Sequence, residues 1–240
     1  MRITFLGTRG DIEARSRRHG RHSAVMVHHG GRRVMVDCGA EWLGRVAALA
    51  PDAIVLTHAH PDHAAGLRAG APCPVHASAE TWQVIGRYPI EERRVLAPGV
   101  RAVVAGIGFR ACPVQHSLRC PAVGYRIDTG GAAVFYVPDV AGFPDHREAL
   151  ADIALFIGDG ASIARPILRR RDGVPLGHAP IRVQLGWCGD AGVRDAVLTH
   201  CGTEIVGGDE RQLGAKIRAL AREYGLRARI AYDGLEIDLA

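Results

Sequence analysis

The chain has 240 residues, 48% of them hydrophobic, and a formal net charge of +5. That length suits one large domain or two small ones, and the hydrophobic share supplies a sizeable core. No apolar run approaches the roughly 20 residues of a membrane helix, so membrane spans are set aside. The opening Met1-Arg2-Ile3-Thr4-Phe5-Leu6-Gly7 reads as a strand, without the apolar segment of a secretory signal. Six cysteines with no C-x-x-C pair argue against both a disulfide framework and a zinc knuckle. The expected compartment is the reducing cytoplasm. The positive balance favours anionic partners only in general terms, but it is concentrated. Arg15, Arg17, Arg18, His19, Arg21 and His22 form one cluster, and Arg165, Arg169, Arg170 and Arg171 form another.

In chain order, residues 2–6 alternate as a strand that Gly7-Thr8-Arg9-Gly10 ends, and residues 11–22 are a polar, basic loop. Residues 23–27 and 33–36 predict a hairpin across His28-His29-Gly30-Gly31, ending in Asp37-Cys38-Gly39. Residues 41–50 predict a helix stopped by Pro51. The apolar run Ala53-Ile54-Val55-Leu56 is a buried strand that empties into Thr57-His58-Ala59-His60-Pro61-Asp62-His63. A strand near Val75, a helix over 78–85, and strands near Val95 and Val103 follow. Residues 108–114 form a strand delivering His116-Ser117, and a hairpin over 122–127 and 132–137 ends in Pro138-Asp139. The run 153–157 is another buried strand. Residues 159–179 read as a long, Arg-rich loop, and loops of that length serve function or stay disordered. A helix over 180–190 leads to Ala196-Val197-Leu198-Thr199-His200, then a helix over 211–224 and strands over 228–231 and 235–238. Val55-Leu56-Thr57-His58 thus recurs as Val197-Leu198-Thr199-His200. The pattern predicts an α/β chain, two mixed β-sheets packed face to face with helices on both outer faces, as one layered domain over residues 1–240.

The chemistry sits where these strands end. His58, His60, Asp62 and His63 fall within six positions, and nitrogen and oxygen donors at that density suit zinc, manganese or iron. His58 and His60 can converge on one cation while Asp62 and His63 turn toward a second. Asp37, His116, Asp139 and His200 each follow a run that wants burial. Bringing eight imidazoles and carboxylates into one cleft without a compensating cation would cost several kcal/mol. A pair of metal ions removes that cost. His28, His29, His76 and His146 have no partner pattern and are expected at the surface.

The ordered set D-C-G, T-H-A-H-P-D-H, H-S, P-D and L-T-H resembles the five motifs of the metallo-β-lactamase superfamily, covering Asp37 to His200. The resemblance implies an αββα sandwich and two divalent metal ions, with zinc the first expectation and manganese the second. It implies that His58, His60 and His116 hold one metal, that Asp62, His63 and His200 hold the other, and that Asp139 bridges them. Asp37 would orient a ligand imidazole, and a hydroxide shared by the metals would be the nucleophile.

Finer features resemble the phosphodiesterase branch, which includes ribonuclease Z and the cyclic-phosphate phosphodiesterase of phosphonate metabolism. These are Gly177-His178-Ala179-Pro180 before a helix, His116-Ser117 before Val123-Gly124-Tyr125, and the closing Ala231-Tyr232-Asp233-Gly234-Leu235-Glu236-Ile237. The resemblance places His178 beside the cleft, stabilising phosphate charge or protonating a leaving oxygen. The chain departs from these relatives in lacking a long exosite insertion and a cysteine-rich structural zinc loop. In place of that loop stand residues 15–23, whose Arg15, Arg17, Arg18, His19, Arg21 and His22 are expected to bind substrate phosphate. The leading expectation is a phosphodiesterase acting on a small cyclic phosphate, a cyclic nucleotide or a nucleic-acid end. A homodimer is left open, because members of the branch often dimerise. A lactonase or thioesterase using the same metals is the alternative, although aromatics, at 5%, are few for an apolar pocket. A nucleic-acid-binding protein with a relict metal site is the third reading, and it sits poorly with a complete ligand set.

Overall fold

The computed structural model describes residues 1–239. One sheet contains β1 (Arg2–Gly7), β2 (Ala24–His29), β3 (Arg32–Val36), β4 (Ala53–Val55), β5 (Val75–Ala77) and β6 (Arg93–Val95), in that spatial order, with β16 (Glu236–Asp238) added beside β1. The other runs β7 (Arg101–Val104), β8 (Ile107–Val114), β9 (Ala122–Asp128), β10 (Ala133–Tyr136), β11 (Leu155–Asp159), β14 (Asp195–Thr199) and β15 (Arg227–Ile230). Both sheets are mixed. Strands β1 to β3 pair antiparallel and β3 to β6 parallel; likewise β7 to β10 pair antiparallel and β10, β11, β14 and β15 parallel.

Three apolar layers follow from strand alternation, which sends successive side chains to opposite faces. Phe5, Val27, Val36 and Val55 meet Phe109, Tyr125, Tyr136 and Ile157 between the sheets. The neighbours of two of these residues point outward: Ile54 packs with Met35, Trp42 and Leu67 on one side, and Phe156 with Leu185 and Ile217 on the other. Strands buried on both faces read as continuous apolar runs, which is why β4, β11 and β14 show no polar alternation.

Among the described residues there are seven α-helices: α1 (Val46–Leu49), α2 (Pro61–Ala64), α3 (Ala79–Val84), α4 (His146–Ala149), α5 (Ile181–Asp190), α6 (Thr203–Val206) and α7 (Glu210–Glu223). The side chain of Ser78 accepts from the Thr81 amide to start α3, and Asp209 accepts from the Gln212 amide to start α7. None of the helices is long and apolar enough to cross a membrane.

Two expectations are corrected. Residues 41–50 are not one helix but a 3-10 turn, Ala40–Trp42, and then α1, because Gly44 sits at φ +72° and interrupts the helical hydrogen bonds. Residues 159–179 are not a structureless loop. They contain a separate hairpin, β12 (Ile167–Arg171) and β13 (Val174–His178), turning at Asp172 and Gly173 with φ of +51° and +80°. Positive φ at both central residues marks the primed turn that matches strand twist, and Asp-Gly is a favoured pair for it.

Candidate metal centre

Strand direction brings the polar residues together. Strands β10, β11 and β14 are parallel, β8 points the same way as β10, and β3 is parallel to β4. Asp139, Asp159, His200, His116, Asp37 and His58 therefore all lie at or just beyond carboxyl ends of strands, the edge where layered α/β folds build sites.

Two clusters of donors result. His58 Nε2 lies 2.9 Å from His60 Nδ1, which lies 3.2 Å from His116 Nε2. Beside them, Asp62 Oδ2 is 3.1 Å from both His63 Nε2 and His200 Nε2. Asp139 Oδ2 is 2.6 Å from His63 Nε2 and 3.7 Å from His58 Nε2, and its Oδ1 is 3.2 Å from His200 Nε2. The Asp139 carboxylate thus stands between the two clusters.

These donors fit divalent metal ions. Ligands about 2.0–2.1 Å from a tetrahedral cation stand roughly 3.3 Å apart, close to the spacings here. His63 Nε2 and Asp139 Oδ2 are wholly buried and close together, yet neither makes a hydrogen bond of acceptable geometry. Buried polar atoms left without such bonds are rare and costly. A shared cation satisfies both.

Their orientation is fixed from behind. Pro61 opens α2, so Asp62 and His63 fall in its first turn. Asp37, with φ at +64°, accepts from the Thr57 amide at 2.8 Å and from the Thr57 hydroxyl at 2.9 Å. It also accepts from His63 Nδ1 at 2.9 Å, which turns Nε2 of that ring toward Asp139. His116 Nδ1 donates to the Gly177 carbonyl at 2.9 Å, leaving Nε2 for the first cluster. Such contacts set the tautomer and the aim of a ligand imidazole.

Electrostatics divide the histidines. Burial, with His63 beside it, pushes His58 well below the usual imidazole range, and burial lowers His60 and His116 too. Burial opposes charge on His63 as well, but Asp62, Asp139 and Asp37 overcome it and raise that group. At His200 burial is likewise outweighed by Asp139, Asp159 and Asp62, which hold the ring up to about 10. The carboxylates demand positive charge, and imidazolium protons compete with metal ions to supply it.

His178 closes β13 at the same place. Its Nδ1 lies 2.7 Å from Asp159 Oδ2 and 3.3 Å from Asp139 Oδ1, and its ring stacks on His200 with centroids 5.3 Å apart. Asp159, at the end of β11, is fully buried and also accepts from the Val140 and Ala161 amides. Sequence reasoning missed Asp159. The available signal is its position just after the apolar run 153–157, which the loop-like composition of residues 159–179 hides.

A cavity of about 980 Å³ opens beside the clusters, lined by His60, His116, His178 and His200 together with Arg165 and Arg169. None of Arg15, Arg17, Arg18, His19, Arg21 or His22 lines it. Arg15 and His22 join buried Arg9 around Glu41, and Arg18 pairs with Glu210 at 2.5 Å and lies over the Tyr232 ring. Arg21 lies over Trp42, and His19 is buried with Nδ1 2.8 Å from the Thr8 hydroxyl. Elsewhere His29 is exposed as expected, whereas His28, His76 and His146 are half-buried.

The sequence matches the beta-lactamase superfamily domain over residues 32–201, which contains both clusters and the cavity hairpin. The chain belongs to the beta-lactamase superfamily. Ribonuclease Z of Mycobacterium marinum is 28% identical to this superfamily member, covering 96% of each chain. Among solved structures, the metallo-beta-lactamase fold protein YhfI of Bacillus subtilis superposes with a TM-score of 0.76 at 19% identity, covering 98% of each chain. A diphosphatase of the PhnP family superposes with a TM-score of 0.75 at 19% identity, covering all of this chain and 98% of the other. These likenesses agree with the αββα sandwich, two mixed sheets with helices outside.

Proposed function

We propose that this beta-lactamase superfamily member is a metal-dependent phosphodiesterase with two divalent ions, zinc or manganese, in its paired clusters. The supporting observation is a complete donor set split by Asp139, opening on a cavity that carries Arg165, Arg169 and His178. His58, His60 and His116 would hold one ion, Asp62, His63 and His200 the other, and Asp139 would touch both. Bound there, the ions would act as Lewis acids and lower the pKa of a water toward ~7 so that it can attack phosphorus.

The rest is done by the chain itself. Arg165 and Arg169 would bind phosphoryl oxygens, for which a guanidinium fork is well shaped. His178 Nδ1 is engaged by Asp159, so Nε2 is the edge left to serve the cavity. From there it would donate to a phosphoryl oxygen or protonate the departing alkoxide. Asp37 and Thr57 keep His63 aimed. The reaction forms one P–O bond to water and breaks the P–O bond to the leaving group, giving a phosphomonoester and an alcohol. The substrate class is a cyclic phosphate, a nucleotide diester or a nucleic-acid end. The relative named ribonuclease Z supports the last of these.

The test is hydrolysis of bis(p-nitrophenyl) phosphate by metal-loaded protein, with metal content measured in parallel. Turnover that falls at least ~100-fold in Asp62→Ala and His116→Ala protein is expected. Full metal occupancy with lactone or thioester turnover and no phosphodiester turnover would overturn the reading.

A further inference from the structure

The basic segment that the metal centre leaves unused lines a different surface. A hollow of about 780 Å³ lies between residues 16–19, α7 and strand β15, the edge of its sheet. Arg17, Arg18, Arg211, Arg218 and Arg229 line it, against the single carboxylate of Glu210, which Arg18 already engages. A second hollow of about 620 Å³ continues from it, sharing Arg218 and Arg229 and adding Arg222. Arg17, Arg211, Arg218, Arg222 and Arg229 have no carboxylate within ion-pair distance among the described residues, although Arg227 nearby is paired with Asp195 at 2.7 Å. On α7, spacings of seven and then four residues put Arg211, Arg218 and Arg222 within about 20° of one line, over a rise of roughly 16 Å.

This track shares walls with the cavity. Gly202, Thr203 and Glu204 face the cavity, while Ile205, Val206 and Gly208 of the same segment face the track. Gly10, Asp11 and Ile12 likewise border the cavity, and residues 16–19 of the same loop border the track. In the same hollow the Arg18 guanidinium lies 4.0 Å from the centre of the Tyr232 ring, whose body packs against the inter-sheet core.

We infer that the groove between residues 16–19, α7 and β15 binds the backbone of a nucleic-acid strand whose end enters the metal-centre cavity. This rests on the phosphodiesterase reading and narrows its substrate from a small phosphate to a polynucleotide. An acidic protein would meet the same charges, but the row of arginines runs up to the wall of a phosphate-handling cavity, which favours a phosphate chain.

The experiment compares wild type with the exposed triple variant Arg211→Gln/Arg218→Gln/Arg229→Gln, metal-loaded. Binding of a labelled, cleavage-resistant strand of about twelve nucleotides, as RNA and as DNA, is followed across a salt series by anisotropy. Three lost phosphate contacts should weaken binding at least tenfold and flatten the log–log salt slope by about 2. Turnover of bis(p-nitrophenyl) phosphate should stay within twofold. Equal affinity and equal slope in the two proteins would overturn the inference, as would weaker binding by wild type to the strand than to an acidic peptide of equal charge. Absent bis(p-nitrophenyl) phosphate turnover in wild type would count against the phosphodiesterase reading instead, since the binding comparison requires no cleavage.

Discussion

Asp159 is the residue whose role sequence position conceals and contact geometry makes visible. It is buried beneath His178 and holds that ring by a 2.7 Å hydrogen bond at Nδ1. Asp159→Asn keeps the shape but offers an amide where a carboxylate stood, so kcat should fall by ~100-fold or more, in line with loss of a positioned acid. Metal content, measured on the same preparation, should stay near wild type. A second residue, in the loop that borders the cavity, carries a pH prediction. His19 is buried against Thr8, and burial lowers its pKa despite the opposing carboxylates of Asp233 and Glu210, with Arg18 adding to the lowering. Its folded pKa therefore lies below the unfolded value of ~6.5. The unfolded chain takes up the proton first, so this contribution to stability is complete above ~6.5 and is lost as the pH falls below it. The urea midpoint should drop between pH 7.5 and 5.5, and less steeply in His19→Gln protein.

Among the elements, the hairpin β12–β13 joins the cavity's arginines to the donor clusters. Its first strand and approach supply Arg165 and Arg169 to the cavity, while Gly177 accepts from His116 and His178 ends the second strand. Arg165→Ala/Arg169→Ala should raise KM for bis(p-nitrophenyl) phosphate by about tenfold with a smaller change in kcat, because both groups bind ground state and transition state alike. The thermal midpoint should not move, as the two side chains lie outside the apolar layers. Strand β11 shows the opposite dependence. Ile157 is fully buried between the sheets, and Ile157→Ala should cost about 2–5 kcal/mol in denaturant unfolding without changing which metals bind.

For the molecule as a whole, the proposed metal centre predicts that metal binding and folding are coupled. The clusters draw donors from both sheets: His58, His60, Asp62 and His63 after β4, and His116, Asp139 and His200 after β8, β10 and β14. A cation held there fastens one sheet to the other and binds only the folded chain. Chelation should therefore lower the thermal midpoint, and zinc or manganese should restore it in a concentration-dependent way. A midpoint indifferent to chelator would contradict the metal assignment.

The donors and the strands that carry them are legible in the chain alone. Apolar runs doubly buried in parallel strands leave a plain trace: His58 with His60, Asp62 and His63 follows β4, and His200 follows β14, while His116 and Asp139 follow the ends of β8 and β10. Periodicity has no such grip on the segment after β11. There strand β12 carries five consecutive exposed residues, Ile167 to Arg171, with no buried face to impose alternation. Which arginines stand at the cavity depends on the folded chain, because Arg15, Arg18 and Arg169 are alike in sequence and differ in their neighbours. Glu41 and Glu210 draw the first two into ion pairs, whereas Arg169 lines the cavity. Charge is written in the chain one residue at a time, but the partner that neutralises it is chosen by distance in the folded molecule.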